Sequence, residues 1–242
     1  MKLISEGFSQ EKCEAVSPGD IYGYGSSYER KADITLNKQA YLTIKRMFDV
    51  VASLLGLLLT SPILLAAAIA IKLQDGGPVI HTRVCLGRDG KTYKMYKFRT
   101  MVMDADNLER WLTPEQIREY TTECKLENDP RITKIGRLLR KTSMDELPQL
   151  FSVLCNDMSL IGPRPIVEAE RLHYTNEELA VFLTAKPGIT GYWQVNGRSD
   201  STYESGKRQA LELYYATHCS LLLDVKILFM TVAVVLGRRG AK

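Results

Sequence analysis

Histidine is scarce in this chain, cysteine is scattered, and neither forms a metal or redox pattern. The three histidines, His81, His173 and His218, do not stand at metal-ligand spacing, which argues against zinc catalysis. The five cysteines, at positions 13, 85, 124, 155 and 219, are far apart with no C-x-x-C pair. They read as reduced intracellular thiols, not as a disulfide framework. The 32 basic residues exceed the 28 acidic ones by only four, too small an excess to argue for nucleic acid. A hydrophobic share of 45% and a charged share of 25% exclude a wholly disordered or collagen-like chain and suit one globular unit. No secretory signal is legible, because no short apolar core follows a basic start. The stretch from Asp20 to Tyr28 is rich in Gly, Tyr and Ser without apolar periodicity, so residues 1–40 are expected to form a flexible tail.

What the chain does have is one long apolar run. Val50 to Ile71 is 22 residues without a charge. At 1.5 Å per residue, a helix of that length could cross a hydrocarbon core of roughly 30 Å. Pro62 lies in its middle, where a missing N–H and a ring clash predict a bend, with Ser61 beside it to satisfy freed backbone groups. Both flanks are basic: Lys38, Lys45 and Arg46 precede the run, and Lys72, Arg83 and Arg88 follow it. Positive flanks favour the cytoplasmic side, and a straight span would have to translocate one of them. Residues 41–75 are therefore expected to form a re-entrant membrane helix bent at Ser61-Pro62; a single span and a buried core helix are the alternatives.

Residues 76–242 then read as a cytoplasmic domain of α/β, helix-dominated class. A β-hairpin is expected from Val79–Leu86 and Thr92–Met101 around an Asp-Gly turn. Gly87 to Thr92 imitates the end of a phosphate-binding loop, but the first glycine position is Cys85 and no helix pattern follows. Helical patterns follow near Asp104–Leu112 and Pro114–Leu126. Arg131 to Lys141 carries five basic and no acidic residues, with Ile132, Ile135, Leu138 and Leu139 on one helical face. Such a basic amphipathic helix suits an anionic membrane surface. Ile227–Leu236, followed by Arg238-Arg239, repeats the theme at a length too short to span.

The candidate chemistry follows the basic helix. Asp145-Glu146 sits where Ser143 and Glu146 have capping-box spacing, while Pro148 favours a slightly later helix start. Either register places Asp145 at the positive end of a helix dipole. Arg164 is clamped between Pro163 and Pro165, which restricts where its guanidinium can point. Lys97, Arg99 and Arg140 add cations, and arginine matches phosphate bidentately, so the set suits a diphosphate.

From about Tyr41 to its end the chain resembles the bacterial sugar transferases, the monotopic phosphoglycosyl transferases that act on polyprenyl phosphate. The resemblance rests on Lys45-Arg46-Met47-Phe48-Asp49, Ser61-Pro62, Lys97-Phe98-Arg99-Thr100-Met101 and Asp129-Pro130-Arg131-Ile132-Thr133. It continues through Asp145-Glu146-Leu147-Pro148-Gln149, Asp157 to Pro165, and Lys186-Pro187-Gly188-Ile189-Thr190-Gly191. It implies transfer of a sugar-1-phosphate from a UDP-sugar to undecaprenyl phosphate with release of UMP, the step that initiates exopolysaccharide or other surface-glycan synthesis. Asp145 matches the nucleophile that forms an aspartyl phosphosugar, Glu146 the residue associated with Mg²⁺, and Arg140 and Arg164 phosphate-binding arginines. The implied place is the cytoplasmic face of the bacterial inner membrane. Membrane lipids, downstream glycosyltransferases and a second copy of the chain are the implied partners, with no nucleic acid among them.

Larger members carry four more membrane helices and a further domain, so the resemblance implies the minimal catalytic form. The chain departs from the family pattern at Asn156, where glycine is common, and at His218-Cys219, which replace a more aromatic region. The motifs leave the sugar open, and a non-enzymatic membrane adaptor and an aspartyl-phosphate hydrolase are the rival functions.

Overall fold

The computed structural model describes residues 36–123, 126, 128–197, 203 and 205–236, so most of the expected tail and Arg238-Arg239 lie outside the described residues. The first element, α1 (Leu36–Asp75), is a single helix of 40 residues that begins five residues inside the expected tail. Helical structure continues through Pro62. The Leu58 carbonyl, which lacks the N–H that Pro62 cannot supply, instead accepts a bond from the Ser61 hydroxyl at 2.8 Å. Thr60 bonds the Gly56 carbonyl in the same way at 2.6 Å.

One stripe of α1 faces the rest of the molecule, and the rest of the helix is exposed. Asp49, Ser53, Ala67 and Ile71 are buried, whereas Leu58 and Leu59 between them are 70% and 76% exposed. The charged residues at the entry to the apolar run each tie α1 to a different element. Lys45 pairs with Asp224 at 2.8 Å, Arg46 donates to the Val153 and Leu154 carbonyls, and Asp49 accepts the Leu160 N–H. At the far end, Ala67 and Ile71 pack with Phe98 and Leu139. Gly56 lies between these two anchorages, where an added Cβ would come within 3.2 Å of the Leu150 side chain.

The expected hairpin is present, slightly shorter than read: β1 (Ile80–Leu86) pairs antiparallel with β2 (Thr92–Phe98). Asp89 and Gly90 take positive φ in the connecting turn. Two short helices follow, α2 (Leu108–Trp111) and α3 (Pro114–Glu123). The basic helix α4 spans Lys134–Lys141, started by the Thr133 hydroxyl accepting the Gly136 N–H. Arg131 is not on it: its guanidinium is buried against Asp129, with 2% of the side chain exposed. The apolar face also splits. Leu139 packs inward while Leu138 is 62% exposed among Lys134, Arg137 and Lys141.

Beyond α4 come α5 (Gln149–Leu154), β3 (Ser159–Ile161), α6 (Asn176–Phe182), β4 (Gly188–Thr190), α7 (Tyr192–Asn196), α8 (Lys207–His218) and α9 (Leu221–Leu236). The parallel pair of β3 and β4 was not legible in the sequence. Asn156, the departure from glycine, has φ of +72°, a region that asparagine tolerates better than other side chains. Asp224 on α9 accepts bonds from Tyr41, Lys45 and Tyr215, closing the C-terminal helix onto the start of α1.

Arg99 joins the end of α1 to β2. Its guanidinium forks onto both Asp75 carboxylate oxygens, and its Nε donates to the Pro78 carbonyl at 2.7 Å. The Arg99 hydrogen bonds hold the Asp75 carboxyl down at about 2. A depressed carboxylate contributes stability above its unfolded value near ~4 and loses it as pH falls through the folded value. Asp75→Asn is expected to lower the melting temperature at pH 7 by a few degrees, on the order of 1 kcal/mol for an arginine–carboxylate fork screened by solvent on the acid's side. Thermal unfolding of wild type and variant should converge as the pH falls toward 2.

Candidate active site

Ser143 builds the site by ending α4. Its φ of +55° turns the chain back, and Met144–Glu146 forms a 3-10 turn that packs against β2. Ser143 makes no side-chain cap, so the capping box expected with Glu146 is absent. The following helix starts only at Gln149, and Asp145 lies in the turn before it instead of at the expected helix N-terminus. The left-handed residue uses the backbone in a way that the spacing rule does not anticipate.

The turn brings Asp145 and Glu146 to two cations. Lys97 Nζ pairs with Glu146 Oε1 at 2.7 Å. Arg140 is held by its Nε on the Thr100 hydroxyl at 2.9 Å, and its two terminal nitrogens make no hydrogen bond among the described residues. Thr100 is in turn fixed by α4: an added Cβ on Gly136 would come within 1.9 Å of the Thr100 carbonyl oxygen. Asp145 is half-buried, and its carboxyl is pushed above the usual carboxylate range. Burial is the main cause, followed by the neighbouring Glu146 charge, while Lys97 and Arg140 oppose both.

Two adjacent carboxylates that repel each other are a fitting start for a divalent ion. Mg²⁺ takes only one or two protein carboxylates and completes its shell with water and phosphate oxygens. No cluster of three His, Cys, Asp or Glu stands ready to bind a metal among the described residues, so Glu146 and Asp145 would be the protein's share.

Among the described residues, no hydrogen bond or ion pair links Arg99 or Arg164 to this pair. Arg99 is committed to Asp75 and Pro78, so its fork serves the fold. Arg164 belongs to a second cluster. Its guanidinium lies 5.6 Å from the Trp193 ring centroid, its Nε is buried without a partner among the described residues, and its backbone N–H donates to Glu212. Arg208 stacks on the same Trp193 ring at 4.6 Å and on Tyr203 at 3.9 Å. Sequence reasoning missed Trp193, Arg208 and Glu212. A signal existed for the last, because Glu212, Tyr215 and Ala216 form one buried stripe of α8 in which an acid is out of place.

Because folding places the Asp145 carboxylate beside Glu146 in a half-buried site, removing its charge relieves a cost. Asp145→Asn is expected to raise the melting temperature at neutral pH by a few degrees, since a gain of about 1 kcal/mol moves a domain of this size by roughly 2–4 °C. A lower melting temperature in a calorimetric scan would contradict the electrostatic account.

Comparison with known proteins adds what geometry alone does not give. Residues 40–238 match the model of the family described as bacterial sugar transferase. The chain is 44% identical over 209 residues to the undecaprenyl-phosphate galactose phosphotransferase of Salmonella typhimurium, covering 85% of this chain and 43% of that protein. It is 41% identical over 195 residues to the UDP-glucose:undecaprenyl-phosphate glucose-1-phosphate transferase of Escherichia coli, covering 78% of this chain and 39% of that one. The exopolysaccharide production protein ExoY of Rhizobium meliloti is 40% identical over 200 residues, which is 81% of this chain and 87% of ExoY. The chain thus spans less than half the length of the first two relatives and most of the third. With its apolar helix, its acid pair and a family match that runs through both, the chain belongs to the bacterial sugar transferases.

Proposed function

We propose that the chain transfers a hexose-1-phosphate from a UDP-sugar to undecaprenyl phosphate, with Asp145 as the nucleophile. The observation that carries this reading is the adjacent acid pair held between Lys97 and Arg140. The names of the Salmonella and E. coli relatives supply the substrate class, a sugar phosphate and undecaprenyl phosphate. Galactose and glucose donors both occur among those names, so the sugar itself is left to assay.

Phosphoryl transfer asks mainly for positioning and charge neutralisation. In the first step an Asp145 carboxylate oxygen attacks the sugar-bearing phosphorus of the donor. The bond from that phosphorus to the bridging oxygen breaks, and UMP leaves with the bond's electrons. In the second step a phosphate oxygen of the lipid acceptor attacks the same phosphorus, and the Asp145 carboxylate is released. Lys97 and Arg140 favour the ionised form of Asp145 and screen the anionic donor, and Arg164 adds a third cation for its phosphates. Mg²⁺ bound at Glu146 would supply further neutralisation of the diphosphate. Dividing the transfer between two displacements predicts ping-pong kinetics.

The second half of the proposal is topological: α1 enters the cytoplasmic face of the inner membrane and returns to it. Contacts with the domain occur at Arg46 and Asp49 before the apolar run and at Ala67 and Ile71 near its end. A helix crossing the bilayer would put about 30 Å of hydrocarbon between those contacts. Leu58 and Leu59, near Pro62, are exposed and fit the turn of the membrane segment. The exposed Leu138 among the cations of α4 fits a surface helix on anionic headgroups.

Incubation with labelled UDP-sugar and Mg²⁺ tests the chemistry. Covalent label and UMP release should appear without lipid acceptor and vanish in Asp145→Asn; label retained by that variant removes Asp145 from the role. Free sugar phosphate in place of a lipid diphosphate would make the chain a hydrolase. For topology, single cysteines at Ile44 and Leu73 in a cysteine-free background should both react with a membrane-impermeant maleimide from the cytoplasmic side. Reaction from opposite sides would establish a span.

A further inference from the structure

We infer that Glu212 is a positioning residue that fixes the backbone of Arg164 and so sets where the Arg164 guanidinium meets the donor's diphosphate; this rests on the transfer reading above. The segment around Arg164 has few ways to be held, because Pro163 and Pro165 have no N–H. Gly162 N–H donates to the Thr190 carbonyl at 2.9 Å, and the Pro163 carbonyl accepts the Gly188 N–H at 2.8 Å. These two bonds fasten the segment to β4 at van der Waals limits: a Cβ on Gly188 would come within 2.0 Å of the Gly162 nitrogen. The Arg164 N–H is left over. It donates to both Glu212 oxygens, at 3.2 and 3.1 Å. Glu212 is thus the one side chain in this set of restraints, and it arrives from α8, a different element from the strand pair.

The choice of a carboxylate here is physically costly. Glu212 is fully buried, and the Arg164 N–H is its only hydrogen-bond donor among the described residues. Burial pushes its carboxyl up to about 7, opposed by the Arg164 N–H and by the charges of Arg208 and Arg164, with Glu170 adding repulsion. Tyr174 also faces it. A residue needed only for packing would be better served by an apolar side chain. The two guanidinium groups share the Trp193 ring, so the same acid that holds Arg164 by its backbone also balances the local positive charge. With its backbone fixed and its guanidinium near the Trp193 ring, Arg164 is partly ordered before any anion arrives, which reduces the ordering cost of binding.

The test is a double-variant cycle read by UDP binding to the detergent-solubilised full chain, using titration calorimetry. Glu212→Leu is expected to weaken UDP binding roughly 5- to 30-fold, the factor that one or two kcal/mol of lost positioning produces. Arg164→Ala should cost at least as much. The double variant should bind UDP no more weakly than Arg164→Ala alone, to within about twofold, because Glu212 acts through Arg164. Glu212→Gln, which keeps one acceptor oxygen, should recover part of the loss. Should the leucine variant aggregate on size exclusion, the glutamine variant completes the cycle under the same criterion. Losses that multiply, a leucine variant that binds UDP as the wild type does, or a wild type that does not bind UDP would each overturn the inference. Wild type that binds UDP yet releases no UMP from any UDP-sugar would instead overturn the transfer reading and leave the positioning role standing.

Discussion

The architecture depends on α1 being gripped by the domain on both sides of its apolar run. Arg46 and Asp49 hold one side through polar bonds to α5 and β3. Ala67 and Ile71 hold the other through apolar packing. The Arg99 fork on Asp75 fastens the last turn. An apolar helix tethered in this way is coupled to the Asp145-Glu146 turn. Arg46 donates to the C-terminal carbonyls of α5, whose first turn follows Asp145-Glu146 directly, and Leu150 of the same helix packs on Gly56. Under the proposed topology, the depth of the helix in lipid and the height of the acid pair above it become one mechanical quantity. For the proposed transfer, that coupling suits an acceptor that keeps its tail in the bilayer while its phosphate reaches a water-soluble donor.

Charge balance organises the Asp145-Glu146 turn. Asp145 and Glu146 destabilise each other in a half-buried setting, and Lys97 and Arg140 offset part of that cost. The stability given up in placing the acids is the form in which a site can hold reactivity before substrate arrives. Neighbouring ion pairs have other duties despite similar composition. Arg131 with Asp129 is sealed in the fold, and Arg208 with Glu170 braces the aromatic cluster around Trp193.

Several features were legible because local physics fixes them. The apolar run read as a helix and Pro62 as a bend in it; the helix is present and continues through Pro62, where the Ser61 hydroxyl bonds the Leu58 carbonyl. The hairpin followed from alternation around an Asp-Gly turn. Folding brings Lys97 and Arg140 close to the acid pair. Arg99 did not join them, and Arg131 left the basic helix, because an arginine destined for a carboxylate and one destined for a phosphate or a headgroup look alike in sequence. Their partners, Asp75 and Asp129, decide which is which. The β3–β4 pair was invisible for another reason: three-residue strands are too short to show a period.

The sequence alone determined the long apolar helix, the class of the domain and the residue types it offers, since these follow from hydrophobicity, turn propensity and charge along a few consecutive positions. Only the tertiary structure decided which charges remain open to a ligand, that Ser143 turns left-handed instead of capping, and that Glu212 reaches across 48 positions to hold Arg164. Those outcomes depend on burial and on partners distant in the chain, and desolvation is a property of the folded neighbourhood that no local pattern of residues carries.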